Sequence, residues 1–275
     1  MKPFTTLISP AELCSLDDPL ILEGSFDLAD TDAGERAYAA GHIPGAFYLH
    51  LDRDLCGPKT AADGSFRGRH PLPEREDFAA LMRRLGLRKG RQVVAYDRQG
   101  GPYGAHLWWM LRWLGHAEVA VLNGAWDGEM TTEVPTATPS DWRPAEPLVG
   151  QIDAATLLKQ LDSVRVVDAR AAERFRGEVE PLDKQAGHIP GASNRFFKDN
   201  LQADGRFKPA EQLRAEFAPL LAPHGAGTVV HQCGSGVTAC HNLLAMSYAG
   251  LGDGLLYPGS WSEWSSDPAR PIAKG

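Results

Sequence analysis

An internal repeat is the feature that most constrains how this 275-residue chain can fold. The sequence AAGHIPGAFYL at residues 39–49 returns as QAGHIPGASNR at residues 185–195. A strand-like run stands before each copy, LILEGS at 20–25 and VRVVDAR at 164–170. Because the elements follow in the same order in both halves, the repeat predicts two copies of one structural unit.

A strand, a glycine-containing loop and a helix also occur twice. Residues 92–108 (QVVAYDRQGGPYGAHLW) and 228–244 (TVVHQCGSGVTACHNLL) each begin with a β-branched run and end with apolar residues at helical spacing. In both halves short strands alternate with helical segments such as 75–87 and 210–222. This alternation predicts an α/β fold in which each half is a mostly parallel sheet flanked by helices.

A segment rich in proline and threonine separates the two halves. Residues 127–150 (DGEMTTEVPTATPSDWRPAEPLVG) show no hydrophobic periodicity, which is typical of an exposed connector. We therefore predict an N-terminal domain at 1–135, a linker at 136–149 and a C-terminal domain at 150–275.

Composition excludes several classes of protein. A net charge of −7 argues against nucleic acid or anionic membranes as partners. The most apolar stretch, 106–115, is too short to cross a bilayer. The N-terminus lacks a signal-peptide pattern, so we expect a cytoplasmic protein. The four cysteines show neither a C-x-x-C pair nor His/Cys ligand spacing, which predicts free thiols and no metal site.

Cys233 stands at the turn between a predicted strand and a predicted helix. Gly234 and Gly236 allow unusual backbone angles, so the loop can curl with its N–H groups facing inward. These amides and the positive end of the helix would stabilise a thiolate, which is the nucleophilic form of cysteine. We therefore predict that Cys233 is a nucleophile rather than a small buried hydrophobe.

The other cysteines lack this setting, and Cys240 is expected to pack in the core as part of the following helix. A protein phosphatase or arsenate reductase would place an arginine six residues after its nucleophile, with five residues between the two. Ala239 occupies that position here, so this alternative loses its main oxyanion-binding group.

These motifs together resemble a known family. Two GHIPGA copies, a connector, and CGSGVTA followed by GSWSEW resemble the two-domain sulfurtransferases built from rhodanese domains. The loop is similar to that of the 3-mercaptopyruvate sulfurtransferases, and the resemblance covers nearly the whole chain. It implies that only the C-terminal copy is catalytic. Asp97 stands where the first copy would have lost its thiol.

The resemblance also implies a relay beside the nucleophile. Ser235 matches the family's loop serine, and His70 and Asp52 stand where its histidine and aspartate would stand. Taken without the resemblance, His70 is a surface histidine and Asp52 a turn or capping residue. His42 and His188 occur identically in both GHIPG copies, so we predict that they are structural.

A cation for the substrate carboxylate is implied as well. Arg174 in ERFRG matches the arginine that family members use for mercaptopyruvate. Many members carry a second arginine shortly before the second GHIPG, where this chain has Leu182 and Lys184, so Arg195 is the candidate replacement. The loop itself would line the substrate site through Gly234, Gly236, Val237 and Thr238.

The implied activity is sulfur transfer through a persulfide on Cys233, with no metal or organic cofactor. The donor would be 3-mercaptopyruvate, and the acceptor a thiol, cyanide or a thioredoxin-like protein. Two alternatives stay open. One is a thiosulfate:cyanide sulfurtransferase, and the other is a non-catalytic regulatory or interaction module with this fold.

Overall fold

The computed structural model describes residues 2–275 and divides into two compact units. The division between the halves falls inside the predicted connector, between Leu148 and Val149. Each unit also contains a short segment from the other half of the chain. Gly57–Leu72 belongs to the second unit with Val149–Gln202 and Lys208–Gly275, and Ala203–Phe207 belongs to the first.

The first unit is built on a five-stranded parallel sheet with strand order β1-β5-β4-β2-β3. Its elements are β1 (Leu7–Ile8), α1 (Pro10–Cys14), β2 (Leu20–Glu23), α2 (Ala33–Ala40), β3 (Ala46–Tyr48), α3 (Leu51–Asp54), α4 (Arg75–Arg84), β4 (Val93–Tyr96), α5 (Pro102–Trp113) and β5 (Val119–Leu122).

The second unit repeats this topology, with strand order β6-β10-β9-β7-β8 and all pairs parallel. Its strands and α-helices are β6 (Gly150–Gln151), α6 (Ala154–Gln160), β7 (Arg165–Asp168), α7 (Ala172–Phe175), β8 (Ser193–Asn194), α8 (Ala210–Leu221), β9 (Val229–Gln232), α9 (Ala239–Tyr248), β10 (Leu255–Leu256) and α10 (Ser260–Trp264). Two 3-10 turns add Phe197–Asn200 and Ala226–Thr228.

Burial explains why these segments form parallel strands and covering helices. Every residue of β2, β4 and β9 is buried, as expected for central strands covered on both faces. Helices α5 and α9, which follow β4 and β9, are buried on nearly all sides. Helix α5 begins at Pro102, whose missing N–H costs nothing at that position. Among the described residues, 123–149 form neither helix nor strand, and those up to Leu148 belong to the first unit.

The two GHIPG histidines have the same structural role in each unit. His42 Nδ1 lies 2.8 Å from the carbonyl oxygen of Tyr38, and its ring stacks on Tyr38 at 3.7 Å. His188 Nδ1 lies 2.8 Å from the carbonyl oxygen of Phe175, and its ring stacks on Phe175 at 3.9 Å. Each histidine thus joins a GHIPG turn to the preceding helix. The predicted structural role is confirmed.

The cysteines are all free, as predicted. No helix within residues 2–275 is both long enough and apolar enough to span a membrane.

Candidate active site

The loop that begins with Cys233 lies at the carboxyl end of β9, the central strand of the second sheet. Ligands of parallel α/β sheets bind at this edge. The Cys233 side chain is buried, with the residue 2% exposed. Val237 and Thr238 close the loop, and their carbonyl oxygens accept the N–H groups of Cys240 and His241 at the start of α9.

The two loop glycines are needed for different reasons. Gly236 has a φ of +85°, and a Cβ there would lie 2.5 Å from the carbonyl oxygen of Pro258. Its predicted unusual backbone is therefore confirmed. Gly234 has no left-handed φ, so that part of the prediction was wrong. A Cβ at Gly234 would instead lie 3.0 Å from Arg69 Nη2 and 3.6 Å from Arg174 Nη1.

The GSWSEW segment fixes the loop from behind. The N–H of Cys233 donates to Ser260 Oγ at 3.1 Å, while the N–H groups of Trp261 and Ser262 donate to the carbonyl oxygens of Cys233 and Gly234. Ser260 has a φ of +52°, which costs a non-glycine residue about 1–3 kcal/mol. The carbonyl oxygens of Cys233 and Gly234 are thereby bonded to α10.

The loop amides are available to an anion. In the part of the chain that the structure describes, none of the N–H groups of residues 234–238 donates a hydrogen bond. Buried N–H groups in proteins almost always have an acceptor. This loop therefore has the character of an anion-binding nest at the nucleophile.

Ser235 and His70 form a buried pair beside Cys233. His70 Nδ1 lies 2.8 Å from Ser235 Oγ, and the two residues are 5% and 7% exposed. Burial, assisted by the positive charges of Arg69 and Lys59, lowers the pKa of His70 to about 3. The imidazole is therefore neutral over the physiological range and can exchange a proton with the serine hydroxyl.

His70 reaches this position because its segment belongs to the second unit. Gly57–Leu72 is anchored where the N–H of Arg69 donates to Ser262 Oγ at 2.9 Å. The structure thus brings His70 and Ser235 together, as predicted. Asp52 lies on α3 in the first unit, where its N–H donates to His50 Nδ1. Its place in a relay with His70 stays a prediction.

The arginines differ from the expected arrangement. Arg174 lies beside the loop, as predicted, and its Nη2 is 2.7 Å from Glu180 Oε1. Arg195 was predicted to help bind the substrate, but its guanidinium is 2.6 Å from Glu216 and stacks on Phe217. In the structure Arg195 contacts α8 through these two residues, and its part in substrate binding stays a prediction. Sequence reasoning missed Arg69, since nothing in the spacing connects residue 69 with residue 234.

Cys240 packs as predicted. It is fully buried in α9, and its thiol donates to the carbonyl oxygen of Gly236. Burial raises the pKa of the Cys240 thiol well above its ordinary value. A buried protonated thiol is a poor nucleophile.

The corresponding loop of the first unit contains its own anion. The Asp97 carboxylate accepts hydrogen bonds from the N–H groups of Gln99, Gly101, Tyr103 and Gly104, at 2.8–2.9 Å. The side chain at this position therefore bonds to the backbone of its own loop and of the start of α5. No group of three or more His, Cys, Asp or Glu side chains within residues 2–275 is arranged to hold a metal ion.

Comparison with known proteins agrees with this geometry. The rhodanese-like domain matches residues 16–129 and 153–267. A probable 3-mercaptopyruvate sulfurtransferase of Pseudomonas aeruginosa is 46% identical over 94% of this chain and 93% of its own length. A putative thiosulfate sulfurtransferase of Mycobacterium tuberculosis is 39% identical over 98% of this chain and 97% of its own.

A solved structure shows the same architecture. The 3-mercaptopyruvate sulfurtransferase from Leishmania major superposes with a TM-score of 0.80 at 30% identity, covering 95% of this chain and 74% of that one. Both units match the same domain family, and the likeness extends over nearly the whole chain. This chain therefore belongs to the two-domain sulfurtransferases built from rhodanese-like domains.

Proposed function

We propose that the protein transfers sulfur from 3-mercaptopyruvate to a thiol acceptor through a persulfide on Cys233. The observation that supports this most directly is the buried Ser235–His70 pair, 2.8 Å apart, on the same loop as the nucleophile. Arg174 beside Gly234 adds a cation suited to the donor's carboxylate.

In the first step the Cys233 thiolate attacks the sulfur of mercaptopyruvate. A sulfur–sulfur bond forms, the donor's carbon–sulfur bond breaks, and its electron pair leaves with the carbon fragment as pyruvate enolate. The proton of the donor thiol passes by way of Ser235 and His70 to the enolate, which gives pyruvate. The N–H groups of residues 234–238 stabilise the anionic outer sulfur of the persulfide.

In the second step an acceptor thiolate attacks the outer sulfur. A sulfur–sulfur bond forms on the acceptor, which becomes the new persulfide. The sulfur–sulfur bond to Cys233 breaks, and its electron pair restores the Cys233 thiolate. A small thiol, cyanide or a thioredoxin-like protein has the required nucleophilic atom. Asp52 is proposed to orient His70 for the first step.

Thiosulfate is the second candidate donor, because a 39% identical relative is named as a putative thiosulfate sulfurtransferase. Thiosulfate is a dianion whose sulfonate would lie close to the attacking sulfur. The residues directly after the nucleophile are Gly234 and Ser235, neither of them charged. This favours mercaptopyruvate, whose single carboxylate lies farther from its sulfur.

Mass spectrometry of the intact protein and its peptides tests the proposal. After incubation with mercaptopyruvate, the peptide that contains Cys233 should gain one sulfur atom, and Cys233→Ser should abolish the gain. Cys240→Ser is the matched control. It keeps a donor for the Gly236 carbonyl oxygen and should retain most of the loading.

Faster loading from thiosulfate than from mercaptopyruvate would promote the second candidate. If the wild-type protein gained sulfur from neither donor, both proposed enzymatic activities would be contradicted. The alternative of a non-catalytic regulatory or interaction module would then remain.

A further inference from the structure

A cavity of about 320 Å³ lies at the carboxyl end of the first sheet, where β4 ends and Asp97 begins the following loop. All the residues that line it belong to the first unit. Its volume is at the lower end of the range of small-molecule sites, and ligands of parallel sheets bind at this edge. We propose that the cavity is a second binding site, for a small aromatic molecule without an anionic group.

The segment that borders the cavity is bonded differently in the two units. Residues 119–126 (VAVLNGAW) and 254–261 (GLLYPGSW) correspond in the repeat. In the second unit the segment leads into α10, whose N–H groups donate to the nucleophile loop. In the described part of the first unit, residues 123–148 form no helix, and no backbone N–H of residues 124–130 donates to a carbonyl oxygen of residues 97–101. Without these bonds there is room for a cavity between segment and loop, and both line it.

Apolar and aromatic side chains form much of the cavity wall. They are those of Ile43, Leu122, Trp126, Met130 and Phe207. Aromatic rings pack against another ring edge-to-face or offset, and the flexible thioether of methionine makes favourable contacts with a ring edge. These walls therefore suit a flat aromatic molecule better than a polar one.

Both aromatic residues of the wall are held in place by the first unit itself. Trp126 Nε1 donates to the carbonyl oxygen of Glu129 at 2.9 Å, and a Cβ on Gly128 would lie 2.5 Å from the Trp126 ring. The N–H of Phe207 donates to Asn123 Oδ1 at 2.8 Å. The wall is thus formed before a ligand arrives, which lowers the entropy cost of binding.

The charged groups at the cavity argue against an anionic ligand. The Asp97 carboxylate accepts four N–H groups, which take up its roughly four lone-pair positions. Arg98 Nε lies 2.7 Å from Glu23 Oε1, and Arg206 Nη2 lies 2.7 Å from Asp204 Oδ2. Each guanidinium thus has a carboxylate partner already, whereas Asp97 is bonded to backbone amides. An anion would therefore lose its hydration beside a negative charge and gain no cation in return.

Titration of the isotope-labelled full-length protein with indole tests the site by NMR. The backbone amide signals of Gly100 and Gly101, which line the cavity, should shift with a dissociation constant of about 0.1–1 mM, a weak affinity that reflects the few atoms of the ligand. Indole-3-acetamide should bind within about threefold of indole. Indole-3-acetate has nearly the same shape and a negative charge, so it should bind at least about tenfold more weakly.

A pair of matched variants locates the site. Met130→Glu puts a charge into the cavity wall at a residue that is 48% exposed, so the fold should tolerate it. Indole binding should weaken at least about tenfold. Val134→Glu makes a comparable change in the same unit at a residue that is 65% exposed and does not line the cavity, and it should bind indole as wild type does. Met130→Leu keeps the wall apolar and should also retain binding.

Several results would overturn the assignment. One is the absence of any shift at Gly100 and Gly101 up to the solubility limit of indole. Another is equal binding of indole-3-acetate and indole-3-acetamide, and a third is equal weakening by Met130→Glu and Val134→Glu. Displacement of indole by mercaptopyruvate would place the ligand in the candidate active site instead. None of these measurements depends on sulfur loading of Cys233, so the proposed function is tested separately.

Discussion

At the residue scale, Asp97 and Cys233 show how one loop serves two purposes. The Asp97 carboxylate accepts four N–H groups of its own loop. In the described part of the chain the N–H groups of residues 234–238 donate no hydrogen bond, and we propose that they bind the anionic sulfur formed during the reaction. A carboxylate cannot attack sulfur, so the first loop is stabilised by its own side chain and has no nucleophile. Corresponding positions of the repeat thus hold a carboxylate bonded to its own loop in one unit and a thiol in the other.

The lowered pKa of His70 should make the stability of the protein depend on pH. Burial lowers its pKa to about 3, whereas the unfolded chain binds a proton near the ordinary value of about 6.5. Between these values the unfolded state binds more protons than the native state, so stability present above about pH 6.5 is lost as the pH falls toward 3. Each such histidine contributes a slope of at most about 1.4 kcal/mol per pH unit.

The prediction is checked by urea unfolding of wild type and His70→Asn at about pH 7 and pH 5. The loss of unfolding free energy between these conditions should be about 2 kcal/mol smaller in the variant. Part of the loss should persist, because burial also lowers the pKa of His231 to about 3. Equal losses in the two proteins would show that His70 does not titrate as described.

At the scale of elements, the nucleophile loop is held between β9, which precedes it, and α10, which packs against it. Gly236 lies against Pro258, and Ser260 accepts the Cys233 N–H. The loop therefore derives its shape from a segment 22 to 27 residues farther along the chain, as well as from its own sequence. Local loop motifs alone would not hold the thiol in place.

Gly236→Ala tests this dependence. The new Cβ would meet the Pro258 carbonyl oxygen at 2.5 Å and would have to adopt a φ of +85°. We expect sulfur loading to fall at least about tenfold and the unfolding free energy to drop by about 1–3 kcal/mol. Gly225→Ala is the control, since a Cβ there meets nothing within 4 Å. Loading of Gly236→Ala equal to that of the control would contradict the account.

The sequence predicted elements well wherever the repeat or a periodic pattern marked them. The strands around residues 20 and 165 and the helices near 75 and 210 all formed. Strands such as β6 and β10 have only two residues each, too few for a visible period. The contacts of Arg69 and Arg195 went unpredicted for a related reason. Their roles depend on which distant acids and loops the fold brings to them, and no local pattern reports that.

At the scale of the whole molecule, neither compact unit is formed by one continuous stretch of the sequence. Residues 57–72 belong to the second unit although they lie in the first half of the sequence. They supply His70, which pairs with Ser235, and Arg69, which pairs with Asp183. The second unit is therefore incomplete when it is cut at the connector.

We accordingly expect the fragment 150–275 to lose sulfur transfer and to unfold at lower urea than the intact protein. The loss has a physical cause, because Asp183 would be left without Arg69 and Ser235 without His70. Thermal and urea unfolding with a sulfur-loading assay measure both effects. A fragment as active as the intact chain would show that residues 57–72 are dispensable.

Two segments, 57–72 and 203–207, each belong to the unit formed mainly by the other half of the chain. They determine how such a protein can be recombined with its relatives. A crossover inside the connector would join the second half of one parent to a hairpin, residues 57–72, inherited from the other. His70 and Arg69 would then face a loop and an acidic partner with which they did not coevolve. Chimeras that keep a unit whole must transfer 57–72 together with 149–202 and 208–275, and must leave 203–207 with the opposite parent. A single crossover at the connector would therefore separate residues that one unit needs together.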